Sequence, residues 1–357
     1  MGLDNQAQIE RPAMGTQPVP LPAGKLPSRH LQKLLASLPR RDPRVIVGPQ
    51  LGEDAAVLDL GDRCLVVTTD PITFATDRIG WYAVHINAND VAVMGARPRW
   101  FFVVLLLPEG ETTVAAVDGI MSDITRTCDA LGITVCGGHT EITPAIRQPV
   151  VIGQMLGEVL APRLIRKTGL QVGDQVLLTQ GVAIEGTAIL ARDKRSVLCG
   201  RVPETVIARA EGFLFDPGIS VVEAALTAAE AGVVHAMHDP TEGGVVNGLF
   251  ELASAAATGL RVFADRIPVF PETRAICEVL EVDPLRLISS GALLIGVSPD
   301  QRPLIEAVLH GRGIPVSLVA EVRPASEGMT LISGHDVQIL QPPDRDEIAR
   351  VFSVLSA

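Results

Sequence analysis

The stretch from Gly52 to Pro98 constrains the fold of this chain most, because acidic residues recur in it at the ends of apolar segments. Asp54 precedes one apolar segment, and Asp70 ends the next. Asp90 lies on a segment with helical spacing, where it shares the side opposite the apolar residues with Asn87, three residues earlier. The ends of such segments meet at a common rim when the chain folds. Mg²⁺ takes oxygen ligands from a few carboxylates together with phosphate and water. The stretch therefore predicts a rim that binds Mg²⁺ and, through it, a polyphosphate.

Length and composition narrow the class of protein. A chain of 357 residues is long enough for two domains. The hydrophobic fraction of 47% predicts a globular core packed with aliphatic side chains. The formal charge is −11, with 30 Lys and Arg against 41 Asp and Glu. No nucleic-acid partner is expected, because binding to phosphate backbones requires a basic surface.

The cysteines and the apolar runs predict the compartment. The chain has five cysteines, an odd number, and no CxxC pair, which favours buried free thiols in a reducing environment. No apolar run approaches the roughly 20 residues that a membrane-spanning helix needs. The N-terminus lacks the apolar core of a secretory signal. We therefore expect a cytoplasmic protein that does not contact a membrane.

Strand-like and helix-like segments alternate along the chain, which predicts an α/β (α+β) fold. In the first half we expect strands at 55–60, 64–69, 100–107, 133–136 and 150–160, and helices at 31–38, 81–94 and 111–131. The second half repeats this style. The predicted organisation is a disordered arm (1–23), an N-terminal domain (24–160), a linker rich in Arg, Lys and Gly (161–173), a C-terminal domain (174–345) and a tail without cysteine (346–357).

Two further segments combine glycine with polar side chains where strands meet turns. The strand at 133–136, which we expect to be buried, leads directly into Gly137 and Gly138, and these are followed by His139, Thr140 and Glu141. Consecutive glycines let backbone N–H groups approach an anion, and a helix N-terminus adds favourable partial charge. Carboxylates beside such loops would repel phosphate unless a divalent cation bridges them. Taken singly, each glycine pair also fits a tight turn, so only the joint order of the motifs is informative.

In the second segment, Asp239 and Glu242 flank a turn that ends in Gly243 and Gly244 at a helix start. Asp239 alone also fits an ordinary helix cap. Near the N-terminus, Lys25 could contact a phosphate, or it is simply a solvated lysine. The chain has no GxxxxGK[ST] motif and no strand-anchored GxGxxG, which argues against P-loop and Rossmann proteins.

These motifs together resemble the superfamily of aminoimidazole ribonucleotide synthetase, selenophosphate synthetase, thiamine-monophosphate kinase and the hydrogenase maturation protein HypE. The chain is most similar to the HypE branch. The resemblance spans nearly the whole chain after the N-terminal arm. It is carried by the segments 52–57, 68–70, 89–90, 94–98, 137–140, 239–244, 283–285 and 290–291.

The resemblance implies two α/β domains, with an N-terminal domain that pairs in a homodimer and a C-terminal domain that closes over it. It also implies that ATP and Mg²⁺ bind in the cleft and that an oxygen of the substrate is phosphorylated. The candidate metal ligands are Asp54, Asp70, Asp90, Glu141 and Asp239. The candidate ATP-binding residues are Lys25, Asp54, Asp70, Asn89, Asp90, Gly137, Gly138, Thr140 and Glu141. The candidate catalytic residues are Asp239, Glu242 and His139.

Three features depart from the family pattern. HypE proteins end in a cysteine that carries the carbamoyl group, whereas no cysteine follows Cys277 here, so we expect no dehydration of a thiocarbamate on the chain itself. His139 stands where many relatives carry an acid, so either Glu141 takes the metal role or fewer metal ions bind, because Mg²⁺ prefers hard oxygen ligands. Glu53 replaces the first acid of the usual Asp-Asp pair.

The favoured hypothesis is an ATP- and Mg²⁺-dependent enzyme that phosphorylates a carbonyl, amide or phosphate oxygen of an acceptor. Positioning and charge stabilisation do most of such chemistry, so no protein nucleophile is needed. His85, His139 and His238 could move a proton. The alternative is a nucleotide-binding accessory protein that docks onto a partner in hydrogenase or metallocofactor maturation. Thiamine-monophosphate kinase is a weaker alternative.

Overall fold

A computed structural model describes residues 21, 26, 28–39, 41–50, 52–73, 77–343 and 346–354 of the chain. Lys25 and, apart from Leu21, the predicted disordered arm 1–23 lie outside these described residues. No helix in the described ranges is both long and apolar enough to span a bilayer. The described elements build two mixed α/β units, which confirms the predicted fold class.

The N-terminal unit is built on one sheet, to which six strands contribute in the described part of the chain. Their order is β1-β2-β3-β6-β4-β5, and all neighbours are antiparallel except β4 and β5. The parallel pair is joined through a helix, as parallel strands require. The strands are β1 (Val45–Val47), β2 (Ala56–Asp59), β3 (Arg63–Ile72), β4 (Arg97–Pro108), β5 (Thr134–Thr143) and β6 (Val150–Leu160).

The helices of this unit are α1 (Ser28–Ala36), α2 (Ile79–Ala92) and α3 (Val114–Leu131). Helix α3 begins after Thr113, whose side chain caps the Ala116 N–H, and ends at Gly132, which has a left-handed conformation. Helix α2 packs against β3, β6 and α3. The sequence predicted a polar face on α2 carrying Asn87 and Asp90. That face is buried instead, because it meets the sheet at the candidate site.

The C-terminal unit has a second sheet in the order β13-β12-β9-β11-β7-β10-β8, counted over the described residues. Its strands are antiparallel except for the β9–β12 pair. The strands are β7 (Gln175–Thr179), β8 (Ala236–His238), β9 (Gly259–Phe263), β10 (Leu294–Val297), β11 (Val316–Arg323), β12 (Met329–Ser333) and β13 (Asp336–Ile339). The short strands β7 and β10 are almost wholly buried, which matches their mostly apolar sequences, and the short edge strand β8 is buried as well.

Helices cover the second sheet: α4 (Ile184–Asp193), α5 (Arg195–Leu198), α6 (Glu204–Glu211), α7 (Val222–Ala231), α8 (Gly244–Ala255), α9 (Pro271–Leu280), α10 (Arg302–His310) and α11 (Glu347–Val354). The region predicted as a tail therefore contains helix α11. Val351 of this helix is buried in a cluster that includes Leu190 and Ile276. Just before the helix, Asp346 accepts a 2.6 Å hydrogen bond from the Gly243 N–H.

The two units share one apolar core. The largest buried cluster combines residues of α2 and the first sheet with α7, α10 and β10 of the second unit. Asn89 of α2 joins the units directly. Its Nδ2 donates to the Ile219 carbonyl and its Oδ1 accepts from the Val221 N–H, both at 2.9 Å. Both polar atoms of the Asn89 side chain are therefore engaged in this domain contact, and its role in nucleotide binding stays a prediction.

Strand β5 differs from its predicted form. The sequence predicted a buried strand at 133–136 followed by a glycine-rich phosphate loop. In the structure β5 continues through Glu141 and pairs with β4 as the exposed edge of the sheet. Gly138 is required there by close packing, since a Cβ atom would lie 1.8 Å from the Val103 carbonyl oxygen. Gly137 and Gly138 therefore lie in an edge strand and not in a loop, and their contact with a phosphate stays a prediction.

Candidate functional site

Four carboxylates converge where β3, α2 and the end of β8 meet. We call Asp54, Asp70, Asp90 and Asp239 the acidic cluster. Thr68 lies at its centre: its Oγ1 is 3.1 Å from Asp70 Oδ2, 2.9 Å from Asp90 Oδ2 and 2.9 Å from the Asp54 carbonyl oxygen. One hydroxyl carries one proton and cannot satisfy three acceptors. The arrangement therefore requires either a proton on a carboxyl group or a cation nearby.

Asp90 is the group that retains a proton most readily. Burial makes the largest contribution to raising the pKa of Asp90, and the charges of Asp70, Asp239 and Asp54 add to it. The pKa of Asp90 therefore lies well above its usual value. A protonated Asp90 can donate to Thr68, which resolves the shortage of protons. A divalent cation would have the same effect by neutralising the carboxylates.

Asn87 fixes the orientation of Asp70. Its Oδ1 accepts from the Asp70 N–H at 3.0 Å, while its Nδ2 donates to the Ala83 carbonyl at 2.9 Å. Gly153 on β6 makes room for this side chain, because a Cβ atom there would lie 2.4 Å from Asn87 Nδ2. The buried amide thus holds the end of β3 against α2 and keeps Asp70 at the rim.

Lys167 supplies a buried positive charge to the cluster. Its ammonium lies 2.9 Å from Asp54 Oδ1, 2.8 Å from Asp54 Oδ2 and 2.6 Å from the Gly52 carbonyl oxygen, and its side chain is only 1% exposed. Although burial raises it, this ion pair and the charge of His238 bring the pKa of Asp54 below its usual value. Lys167 comes from the predicted linker, so the linker is part of the site.

His238, at the end of β8, connects the cluster to helix α8. Its Nδ1 lies 3.3 Å from Asp54 Oδ2 and its Nε2 lies 2.8 Å from Glu251 Oε2. Burial and Lys167 lower the pKa of this imidazole, but Asp54 and Glu251 outweigh them and raise it to about 9. The two neighbouring carboxylates therefore favour the protonated form of His238 over a neutral imidazole.

Asp239 is the residue of the acidic cluster that most clearly lacks a partner among the described residues. It is 2% exposed, and its Oδ2 is buried with no hydrogen-bond partner among the described residues. Burial and the charge of Asp54 raise its pKa to about 7. Ligand atoms of Asp54, His238 and Asp239 all lie within 4.8 Å of one another. An orphaned buried oxygen beside further carboxylates fits a hard divalent cation such as Mg²⁺.

The remaining predicted site residues do not join the acidic cluster. Asp70, Gly153, Val103 and Gly138 lie in register across β3, β6, β4 and β5. Three strand spacings separate Asp70 from Gly138, which corresponds to about 14 Å. His139, Thr140 and Glu141 are exposed along the same edge strand. Within one chain, these residues therefore lie outside the acidic cluster, and their contact with a bound ligand stays a prediction.

Glu242, predicted to be catalytic, lies on the far side of the Asp239 turn. Its negative charge contributes to raising the pKa of Glu185 and of Asp346, so it belongs with that second group of acids. Sequence reasoning missed Lys167 and Glu251, which no local pattern marks. It could have found Thr68, which precedes Asp70 by two residues, and Asn87, which precedes Asp90 by one helical turn.

The order of the domains and the position of the cluster define the class. The chain belongs to the AIR synthase-related family, because residues 52–159 match the N-terminal domain of that family and residues 171–331 match its C-terminal domain. This confirms the superfamily resemblance. Within the family, the chain is 27% identical over 294 residues to the carbamoyl dehydratase HypE of Rhizobium leguminosarum bv. viciae, covering 76% of this chain and 77% of that protein.

Solved structures of HypE share the fold. The crystal structure of HypE in complex with ATP has a TM-score of 0.68 at 22% identity and covers 90% of this chain and 93% of that chain. The crystal structure of the HypE–HypF complex has a TM-score of 0.67 at 21% identity, with coverages of 82% and 93%. The chain is thus a HypE-like member of the family.

Proposed function

We propose that the protein is an ATP- and Mg²⁺-dependent enzyme of hydrogenase or metallocofactor maturation that phosphorylates an oxygen of an acceptor. The observation that carries the proposal is the convergence of four carboxylates, one of which, Asp239, has a buried oxygen without a partner among the described residues. The similarity to a carbamoyl dehydratase and to a HypE that was crystallised with ATP supports the choice of nucleotide. The acceptor would carry a carbonyl, amide or phosphate oxygen.

In this proposal Asp54, Asp70, Asp90 and Asp239 hold Mg²⁺, which would neutralise the phosphate charge during transfer. Asn87 orients Asp70, and Lys167 together with His238 orients Asp54. Asp90 and Asp239 keep protons more tightly than free carboxyl groups do. Binding of the cation therefore releases protons, and its affinity rises with pH.

The proposal includes a homodimer formed along β5. The strand is an exposed edge that offers unpaired backbone groups on one side, and such edges pair readily with other chains. A second copy would also bring His139 and Glu141 to a new surface. Light scattering of the purified protein tests the dimer, and it should show twice the mass of the 37.8 kDa chain.

One observation favours the accessory role as a second candidate. Within a single chain, Gly137 to Glu141 stay at least about 14 Å from Asp70, because three strand spacings separate the two strands. A chain that binds the nucleotide but lacks these residues at its phosphates would bind ATP without turnover. It would then act by docking onto a partner, as the HypE–HypF complex illustrates for a similar protein.

A thermal-shift titration of ATP with and without Mg²⁺ tests the proposal. Binding to the folded state raises the melting temperature by mass action. Asp70→Asn and Asp90→Asn should abolish the Mg²⁺-dependent part of the ATP shift and leave the protein folded. Asp118→Asn on the exposed face of α3 is the matched control and should keep the full shift. If both site variants keep the full shift, the ligand assignment is wrong.

Turnover separates the two candidates. Release of ADP that requires a small acceptor supports the enzyme. Tight Mg²⁺-dependent nucleotide binding without ADP release supports the accessory role.

A further inference from the structure

A second charged region lies at the opposite end of the first sheet. Arg63, Arg97, Arg99 and Arg163 line one cavity of about 180 Å³, which we call the arginine groove. Arg63 begins β3, whereas Asp70 lies seven residues further along the same strand. At about 3.3 Å per residue, the arginine groove is roughly 23 Å from the acidic cluster. Four guanidinium groups in one concavity are notable in a chain whose formal charge is −11.

Local structure brings these arginines together. Arg63 pairs with Leu160 across β3 and β6, and Arg97 pairs with Glu158 across β4 and β6. Arg99 is the extra residue of a β-bulge in β4, the kind of irregularity that redirects a side chain. Neighbouring strands thus present basic side chains at the same end of the sheet.

Arg163 comes from a turn that is fastened to the sheet. The Ile165 N–H donates to the Met94 carbonyl at 3.0 Å, and the Ala161 N–H donates to the Asp62 carbonyl at 3.1 Å. Gly95 permits this contact, because a Cβ atom there would lie 2.9 Å from the Arg163 carbonyl oxygen. The turn therefore holds Arg163 beside the groove before any ligand arrives.

The charges in the groove are only partly balanced. Arg63 lies 3.4 Å from Glu158, and Arg97 lies 2.8 Å from Glu230 of α7. Arg99 and Arg163 form no ion pair within the described ranges, and both are exposed. Ion pairs between exposed side chains contribute little, so the two glutamates compete weakly with an incoming anion.

From this geometry we infer that the arginine groove binds a small polyvalent oxyanion that carries two or more phosphoryl or carboxylate groups. Guanidinium groups match such oxygens with paired hydrogen bonds. The groove is smaller than the roughly 300–1,000 Å³ of typical ligand pockets, which favours an anion of pyrophosphate size over a nucleotide. It lies between the first sheet and α7, the kind of domain junction where ligand sites occur. The inference is independent of the proposed function.

Calorimetry with inorganic pyrophosphate tests the site, in EDTA and without nucleotide so that the acidic cluster has no cation through which to hold the anion. Wild-type protein should bind, and the Arg99→Ala/Arg163→Ala variant should bind at least about tenfold more weakly, since hydrogen bonds between charged groups are strong. Arg126→Ala/Arg312→Ala loses the same two charges elsewhere on the surface and should bind like wild type. Circular dichroism checks that each variant is folded.

Two further arms sharpen the result. Arg99→Lys/Arg163→Lys keeps the charge but loses the paired geometry, and it should give an intermediate affinity. Citrate in place of pyrophosphate distinguishes carboxylate from phosphoryl ligands, and binding of either one supports the site. Equal pyrophosphate affinity in the alanine variant and the control overturns the inference. Arginine-dependent binding of a poly-glutamate peptide alone, with neither small anion bound, also overturns it in favour of an acidic protein segment.

Discussion

The acidic cluster and the β5 edge carry similar side chains but place them in opposite surroundings. Asp239 is 2% exposed and has a buried oxygen without a partner among the described residues. Glu141 has a side chain that is 51% exposed, and it lies 3.6 Å from His139, which is itself 66% exposed. A carboxylate as exposed as that of Glu141 can be solvated without help from the protein. The buried carboxylates depend on the protein, on protons or on a cation.

This difference shows that burial, more than residue type, makes a carboxylate a candidate for cation binding. Taking a carboxylate out of water raises the free energy of its charged form. In the acidic cluster two mechanisms limit that cost: Lys167 and His238 pair with Asp54, while Asp90 and Asp239 retain protons. The largest effects of mutation should therefore come from the cluster and the smallest from the edge.

The largest expected effect is that of Lys167→Met. The change removes a fully buried ammonium and leaves the Asp54 carboxylate, which is only 19% exposed, and the Gly52 carbonyl without their nearest cation. Removing one partner of a buried ion pair costs about 3–5 kcal/mol of unfolding free energy. Guanidinium denaturation in EDTA measures this loss.

Arg312 provides the control. Its side chain is 63% exposed and lies 3.8 Å from Glu223, which is 67% exposed, so Arg312→Met should cost less than about 1 kcal/mol. Equal losses in the two variants would contradict the view that burial sets the strength of these contacts.

The helix and strand periods explain which parts of the site were predictable. Asn87 and Asp90 are three residues apart on a helix, so their common side followed from helical geometry. Asp54 and Asp70 could be placed at one rim because two short strands separated by Gly61 and Asp62 form an antiparallel pair, as β2 and β3 do. Local spacing was sufficient wherever neighbouring elements in sequence are neighbours in space.

Long-range contacts escaped the sequence analysis. Lys167 is separated from Asp54 by 113 residues, and its surroundings resemble a polar linker. The strand at 133–136 was predicted to be buried, yet Thr134 and Cys136 are exposed. An apolar strand can lie inside a sheet or at its edge, and only the strand order decides between them. That order follows from the fold of the whole domain, which no local pattern contains.

Asp239→Asn should change the free energy of unfolding by an intermediate amount, and the change should be stabilising at pH 8. The pKa of Asp239 is about 7 in the folded protein against an ordinary value of 3.8, so the folded state binds the proton more tightly. The stability associated with this group is therefore complete at acidic pH and is lost as the pH rises towards 7. Asparagine does not titrate, so the Asp239→Asn variant does not lose stability in this way as the pH rises. At pH 8 in EDTA it should be more stable than wild type, by on the order of 1–3 kcal/mol.

Denaturation curves between pH 5 and pH 8 check this prediction. The wild-type free energy of unfolding should decline more steeply with pH than that of Asp239→Asn. With ATP and Mg²⁺ the order should reverse, because the variant has lost a proposed ligand oxygen. Parallel pH profiles for the two proteins would show that Asp239 does not hold a proton in the folded state.

The smallest effect is expected on the β5 edge. His139→Ala and Glu141→Gln remove exposed side chains, so each should change the unfolding free energy by less than about 0.5 kcal/mol. Within one chain, both residues lie three strands from Asp70, and the Mg²⁺-dependent ATP shift should persist in the monomer.

The role of a dimer is tested by repeating the titration at two protein concentrations. A dimer would dissociate at the low concentration and form at the high one. If Glu141→Gln loses the Mg²⁺-dependent ATP shift only at high protein concentration, a second copy of the chain completes the site. A shift lost at every concentration would contradict the separation of the edge from the acidic cluster.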